Sequence, residues 1–109
     1  QERLKHVTIL NKDYKKVLKK YDGKDTFFYL DPPYEHSETI YKHGAFNQEE
    51  LANTLKGLEG KWLLSINDSK NIRSLYKGYP YLAITLGAKN GKGLGQQKRK
   101  ELLIANYDF

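Results

Sequence analysis

The most constraining feature of the sequence is the apolar run Thr26–Leu30, in which polar and apolar positions do not alternate. A run of this kind is typical of a strand that is buried on both faces of a sheet. The turn signal Asp22-Gly23 precedes it, and two consecutive prolines follow one residue after it, so its limits are well defined. We predict a buried strand at 26–30 that leads into a long loop ending near Phe46.

Strand-like and helix-like patterns alternate along the rest of the chain. The predicted order is strand 7–10, helix 14–21, strand 26–30, helix 47–59, strand 61–66, a short helix after the possible caps at 67–69, strand 79–86 and strand 100–107. Asn47 followed by Glu50 resembles a capping box at the start of the second helix. This order predicts an α/β domain whose sheet is mostly parallel, has helices on its faces and ends in an antiparallel hairpin.

Composition limits the classes of protein to which the chain can belong. Its 109 residues suffice for one small domain, and the lack of any Met leads us to expect a piece of a larger protein. The lack of Cys excludes disulfides and thiolate metal sites and favours a cytoplasmic location. A net charge of +6 favours polyanionic partners, although ribosomal, structural and enzymatic domains all share such an excess.

The tetrapeptide Asp31-Pro32-Pro33-Tyr34 follows the predicted buried strand. Ligands bind beyond the carboxyl ends of the strands in open parallel sheets, so its position makes it a candidate site. The prolines restrict the backbone, and the Asp31 carboxylate and the Pro32 carbonyl can therefore be presented as two fixed hydrogen-bond acceptors. The Tyr34 ring could lie against a planar heterocycle whose amino group those acceptors hold, as in a flipped adenine. The alternative is a rigid turn that leaves a strand.

The segment Phe28-Tyr29-Leu30-Asp31-Pro32-Pro33-Tyr34 resembles the catalytic motif of Dam-type (D12 class) adenine-specific DNA methyltransferases. Further blocks resemble the family in the same order: the helix after the loop, residues 63–68 and residues 97–107. The resemblance implies an incomplete Rossmann-like methyltransferase fold, in which residues 1–109 are the carboxyl-terminal portion of the catalytic domain. The family's glycine-rich cofactor turn and its DNA-reading insertion have no counterpart in the sequence.

The resemblance implies a function and roles for individual residues. The family transfers a methyl group from S-adenosylmethionine to the exocyclic amino group of a flipped adenine in double-stranded DNA, in DNA methylation or restriction-modification. By that resemblance Asp31, Pro32, Pro33 and Tyr34 are catalytic, and the expected cofactor-binding residues are Asp31, Asn11 and Asp13. Asp13 could instead cap the first helix. The alternatives are a non-catalytic nucleic-acid-binding fragment and a methyltransferase of RNA or of protein amino groups.

Basic residues near the end of the chain form a second candidate site. We predict that this cluster contacts DNA phosphates, and its members are Lys89, Lys92, Lys98 and Arg99, with Lys100 beside them. The alternative is a solvated hairpin loop. Six lysines of the first helix and its exit follow the solvent face and are interpreted as solubility charges. We predict no metal site, because His36 and His43 lack a carboxylate at ligand spacing.

The resemblance also implies that two further strands separate strand 7–10 from strand 26–30 in the family's sheet. Without them the chain would expose backbone edges that are normally paired. We therefore expect self-association, strand exchange or a displaced first strand.

Overall fold

The structure, a computed structural model, describes residues 3–8, 14–33, 46–87 and 98–109. Their secondary-structure elements are, in chain order, β1 (Arg3–Thr8), α1 (Tyr14–Tyr21), β2 (Thr26–Asp31), α2 (Gln48–Lys56), β3 (Lys61–Asn67), α3 (Lys70–Leu75), β4 (Tyr81–Gly87) and β5 (Lys98–Ala105). The predicted order of helices and strands is confirmed. None of the helices in these ranges is long and apolar enough to cross a membrane.

The described strands form one sheet in the order β1-β2-β3-β5-β4. β1, β2 and β3 are parallel, whereas β5 runs antiparallel to both β3 and β4. The chain is therefore a mixed α/β protein, and the predicted antiparallel hairpin at the end of the sheet is confirmed. Because β4 is parallel to β3, the carboxyl ends of β1 to β4 and the amino end of β5 lie at one edge, which we call the carboxyl edge.

The first strand differs from the prediction in both extent and neighbour. β1 begins at Arg3 rather than at Val7, and residues 9 and 10 of the predicted strand lie outside the described residues. β1 pairs directly with β2, from Arg3 opposite Thr26 to Thr8 opposite Asp31, with no strand between them. Of the three outcomes that we expected, this pairing corresponds to a displaced first strand. Self-association and strand exchange stay predictions.

The core of the described residues lies on one face of the sheet. Alternate strand residues point to this face, and the helices pack their apolar sides against it. Its buried members include Phe28, Leu30, Trp62, Leu64, Ile66, Leu102 and Ile104 from the strands and Tyr14, Leu18, Leu51, Leu55 and Ile72 from the helices. We call this the helix face.

The opposite face corrects one part of the prediction. Phe27 and Tyr29 of β2 point away from the helix face and are only half-buried, so this strand is not buried on both sides in the described part of the chain. The buried side chains of all three described helices join the single cluster on the helix face. Within these residues, helices therefore cover one face of the sheet rather than both.

The start of β3 is fixed by a close approach of two turns. The Asp22 carboxylate accepts hydrogen bonds from the backbone N–H groups of Glu59 and Gly60, at 2.8 to 3.1 Å. A Cβ atom on Gly60 would lie 2.7 Å from the Thr26 carbonyl oxygen and 2.9 Å from that of Gly23. Only glycine fits there, because both neighbours are backbone atoms that cannot move aside cheaply.

Capping residues define the starts of α2 and α3. The Asn47 side chain accepts from the Glu50 N–H at 2.9 Å, which confirms the predicted cap, and α2 ends at Lys56, three residues before the predicted end. Among the possible caps at 67–69, Ser69 is the one that accepts from the Ile72 N–H, at 3.1 Å.

Candidate active site

The candidate site lies at the carboxyl edge, where β2 ends in Asp31 and β3 ends in Asn67. The residue opposite Asn67 across the sheet is Glu101 of β5, which in turn lies opposite Ile84 of β4. Three strands, β2, β3 and β5, thus bring polar residues to one edge. This is the edge at which ligands bind in open α/β sheets.

Asp31 and the two prolines after it are exposed to very different degrees. Asp31 is exposed and points to the face opposite the helices, whereas Pro32 is buried and Pro33 is half-buried. The strand and the buried proline thus hold the backbone while the carboxylate stays accessible. The arrangement presents an acceptor to an approaching molecule rather than to the protein core.

The carbonyl oxygen of Pro33 is held from a separate element. Gln48, the first residue of α2, donates a hydrogen bond from its Nε2 to that oxygen over 2.9 Å. The Gln48 side chain is buried, with 7% exposure. Its other polar atom, Oε1, is also buried and meets no donor from the described part of the chain.

Glu101 is a second carboxylate on the same face of the sheet as Asp31. It lies two strands from Asp31, about 10 Å across the sheet if strands are spaced by about 4.8 Å, and is offset along the strands by two residues. β5 begins with three basic residues, and Glu101 follows them. Glu101 is buried, with only 6% of its surface exposed. Burial raises the pKa of the Glu101 carboxyl, and the negative charge of Asp31 raises it further.

Asp68, just beyond β3, forms an ion pair with Arg73, which balances its negative charge. Arg73 Nε donates to Asp68 Oδ1 over 2.7 Å, and the Arg73 terminal nitrogen NH2 donates to Oδ2 over 2.9 Å. This hydrogen bonding lowers the pKa of the Asp68 carboxyl below its ordinary value. Arg73 also donates to the Tyr81 hydroxyl over 3.0 Å, so the pair ties α3 to β4.

Comparison with known proteins identifies the family. Residues 1–89 match the family model of the D12 class N6 adenine-specific DNA methyltransferases. The chain belongs to this family. It is also 37% identical over 79 residues to the type II methyltransferase M.CviBI of Paramecium bursaria Chlorella virus NC1A. That alignment covers 70% of this chain but 30% of the relative, so the chain spans about a third of the relative's length.

In this D12-class chain the structure brings together some of the predicted site residues. Asp31, Pro32 and Pro33 lie at the carboxyl edge, and the exposed Arg99 lies near the amino end of β5 at the same edge. Lys98 is the first residue of β5. The other predicted residues, which are Tyr34, Asn11, Asp13, Lys89 and Lys92, lie outside the described residues. The two histidines considered for a metal site also lie outside them.

The sequence interpretation missed Gln48 and Glu101, although each carries a detectable signal. Gln48 precedes Leu51 by three residues and Leu55 by seven, so helical spacing places it on the apolar face of α2. Glu101 stands beside the apolar run Leu102–Ile104 in a strand. A polar residue at a position where the helix or strand pattern predicts an apolar one indicates a specific structural or functional role.

The polar groups at this edge of the D12-class chain can accept hydrogen bonds from a bound molecule. Asp31 and Glu101 supply carboxylate oxygens, and the backbone after β2 supplies carbonyl oxygens. All are hydrogen-bond acceptors when the carboxyl groups are ionised. In the part of the chain that the structure describes, His, Asp and Glu side chains form no group of three or more that could hold a metal ion.

Proposed function

We propose that this chain is part of an enzyme that transfers a methyl group from S-adenosylmethionine to the exocyclic amino group of adenine in double-stranded DNA. The observation that carries the proposal is the family match together with the exposure of Asp31 at the carboxyl edge, directly before a buried proline. The relative in the Chlorella virus is named a type II methyltransferase, which favours a role in restriction-modification.

The proposed catalytic work of the chain is to hold the amino group. The Asp31 carboxylate and the Pro32 carbonyl oxygen would each accept a hydrogen of that group, which raises the electron density on its nitrogen. Fixed acceptors also orient the nitrogen for an in-line displacement. The cofactor supplies, when bound, a methyl group activated by a sulfonium centre.

The balance of the reaction defines what else the site must do. A nitrogen–carbon bond forms as the sulfur–carbon bond breaks, and the electron pair of that bond stays on sulfur. The methylated nitrogen then loses one proton, which leaves through the acceptors at Asp31 to water. A carboxylate exposed at the rim of the sheet, as Asp31 is, can pass such a proton to solvent.

The other predicted site residues enter the proposal with roles taken from the family. Tyr34 would stack on the adenine after it has left the duplex, and extrusion of the base is how such enzymes reach an atom inside DNA. Asn11 and Asp13 would contact the cofactor. Phosphate contacts are proposed for the basic cluster of Lys89, Lys92, Lys98 and Arg99. A Rossmann-like arrangement of the complete catalytic domain belongs to the same proposal.

The test is a transfer assay with the complete protein that contains this chain. It is incubated with methyl-labelled S-adenosylmethionine and double-stranded DNA, and the digested nucleosides are separated and weighed by mass spectrometry. We expect the label on the amino nitrogen of adenine. Label on cytosine, on RNA or on protein, with none on adenine, would refute the proposed function.

A further inference from the structure

We propose that Gln48 is a positioning residue that holds the Asp31-Pro32-Pro33 turn in its working geometry, an inference that rests on the proposed function. Its side chain reaches from the first turn of α2 to the carbonyl oxygen of Pro33, where the Nε2–O distance is 2.9 Å. The bond joins two elements that are fifteen positions apart in the sequence. It therefore fixes the turn from outside.

Prolines alone cannot fix this turn completely. The rings of Pro32 and Pro33 restrict φ, but rotation about ψ remains and determines where each carbonyl oxygen points. Since neither proline has an amide hydrogen, no backbone donation from them can restrain that rotation. A donor on the Pro33 carbonyl oxygen restrains rotation about ψ of Pro33. It thereby also restrains the peptide group between Pro32 and Pro33, whose oxygen is the Pro32 carbonyl oxygen proposed to accept from the amino group.

The same bond joins residues that lie on either side of segment 34–45. Pro33 is the last described residue before the segment, and Phe46 is the first after it, two residues before Gln48. Phe46 is in turn packed against Tyr14 of α1, with ring centroids 5.8 Å apart. Pro33 and Phe46, the residues that flank the segment, are thus both held on the helix side of the site.

The burial of Gln48 calls for an explanation other than apolar packing. It occupies the apolar face of α2 beside Leu51 and Leu55, where a leucine or methionine would pack without cost. Its Oε1 is buried and meets no donor from the described residues, and an unsatisfied buried oxygen destabilises the folded state. A polar side chain kept at such a cost calls for a specific explanation. The hydrogen bond to the candidate site provides one.

The test compares Gln48→Met and Gln48→Leu with the control Asn53→Ala. The two apolar variants remove the donor and the unpartnered oxygen together, whereas Asn53 is an exposed amide on the same helix. We expect the melting temperature of the apolar variants to stay unchanged or to rise. We expect kcat of the complete protein for methyl transfer to fall about threefold to tenfold, the range of rate that one neutral hydrogen bond supports, with KM for both substrates unchanged.

A second readout does not depend on activity. Carbonyl-¹³C labelling of proline gives one signal for each proline of the protein, and three of these prolines, Pro32, Pro33 and Pro80, belong to this chain. The signal of Pro33 should move upfield in Gln48→Met. That of Pro80, whose carbonyl accepts from the Ala105 N–H over 3.1 Å, should stay in place as an internal reference.

Each outcome decides the inference. A shifted Pro33 signal with reduced kcat and retained stability supports it. An unmoved Pro33 signal overturns it, and so does a lower melting temperature with unchanged kcat, which would make Gln48 merely structural. An active parent protein with fully active Gln48 variants refutes this inference alone, whereas a parent protein that never methylates adenine refutes the proposed function and this inference together.

Discussion

Replacing Asn106 with Ala should lower the free energy of unfolding by about 2 kcal/mol. Asn106 follows β5, and its Oδ1 accepts from the Trp62 N–H over 2.8 Å, while its Nδ2 donates to the Gly60 carbonyl over 3.0 Å. Each such bond contributes roughly 0.5 to 1.5 kcal/mol net, and the Trp62 N–H would be left without its acceptor. The loss should therefore fall between about 1 and 3 kcal/mol.

The measurement is urea unfolding followed by tryptophan fluorescence. Trp62 is the only tryptophan and is fully buried in the fold, so its emission reports unfolding directly. With a urea dependence of roughly 1 to 3 kcal/mol per molar for a small protein, the midpoint should fall by about 1 M. The control Asn53→Ala, at an exposed position, should change the free energy by less than about 0.5 kcal/mol. An equally small change in Asn106→Ala would refute the reasoning.

Three further predictions follow from the structure. Gly60→Ala should be strongly destabilising in thermal unfolding, whereas Gly57→Ala, whose new Cβ would lie 3.7 Å from its nearest neighbour, should not; equal melting temperatures would contradict the packing at Gly60. Because the folded pKa of Glu101 is raised, its ionised form destabilises the fold above that pKa, and the penalty is relieved as pH falls through it towards the unfolded pKa. Glu101→Gln should therefore stabilise the chain at neutral pH and lose this advantage in acid, and a variant less stable than the parent protein at neutral pH would argue against a penalty there. The folded pKa of Asp68 is lowered, so its pairing with Arg73 stabilises the fold above the unfolded pKa and is lost as pH falls through the folded one. Asp68→Asn should destabilise at neutral pH with a difference that shrinks in acid, and a difference independent of pH would count against the pairing.

Local signals predicted most of the elements correctly. The apolar run before Asp31 became β2, and the cap at Asn47 became the start of α2, because these signals depend on residues that are close together in the sequence. The final hairpin followed from two strand patterns without a helix between them. Element order was therefore accessible from sequence alone.

Pairing between distant strands was not accessible in the same way. The first strand was predicted at 7–10 because that segment is rich in β-branched residues. In the structure β1 begins at Arg3, since all six of its residues pair with the six residues of β2. Charged residues such as Lys5 are tolerated there because β1 is the edge strand of the described sheet. The prediction that β2 is buried on both faces failed because a continuous apolar run does not show whether a second layer covers the sheet.

The candidate site was predictable in its sequence-local part only. Asp31 and the prolines form a contiguous motif, and the topological rule for parallel sheets places them at the carboxyl edge. Gln48 and Glu101 reach that edge from other elements, through a helix start and an antiparallel strand. Their place at the site depends on contacts between distant elements, which local sequence patterns do not show.

The most direct test of the proposed function is the rate of methyl transfer to adenine in DNA by the complete protein carrying Asp31→Ala, measured beside Asp25→Ala. Both residues are exposed and acidic. Asp31 is the last residue of β2, whereas Asp25 directly precedes the first residue, at the opposite end of the strand. We predict that Asp31→Ala loses nearly all transfer while Asp25→Ala retains the rate of the parent protein. Equal rates for the parent protein and Asp31→Ala would contradict the role of this carboxylate in holding the target amino group.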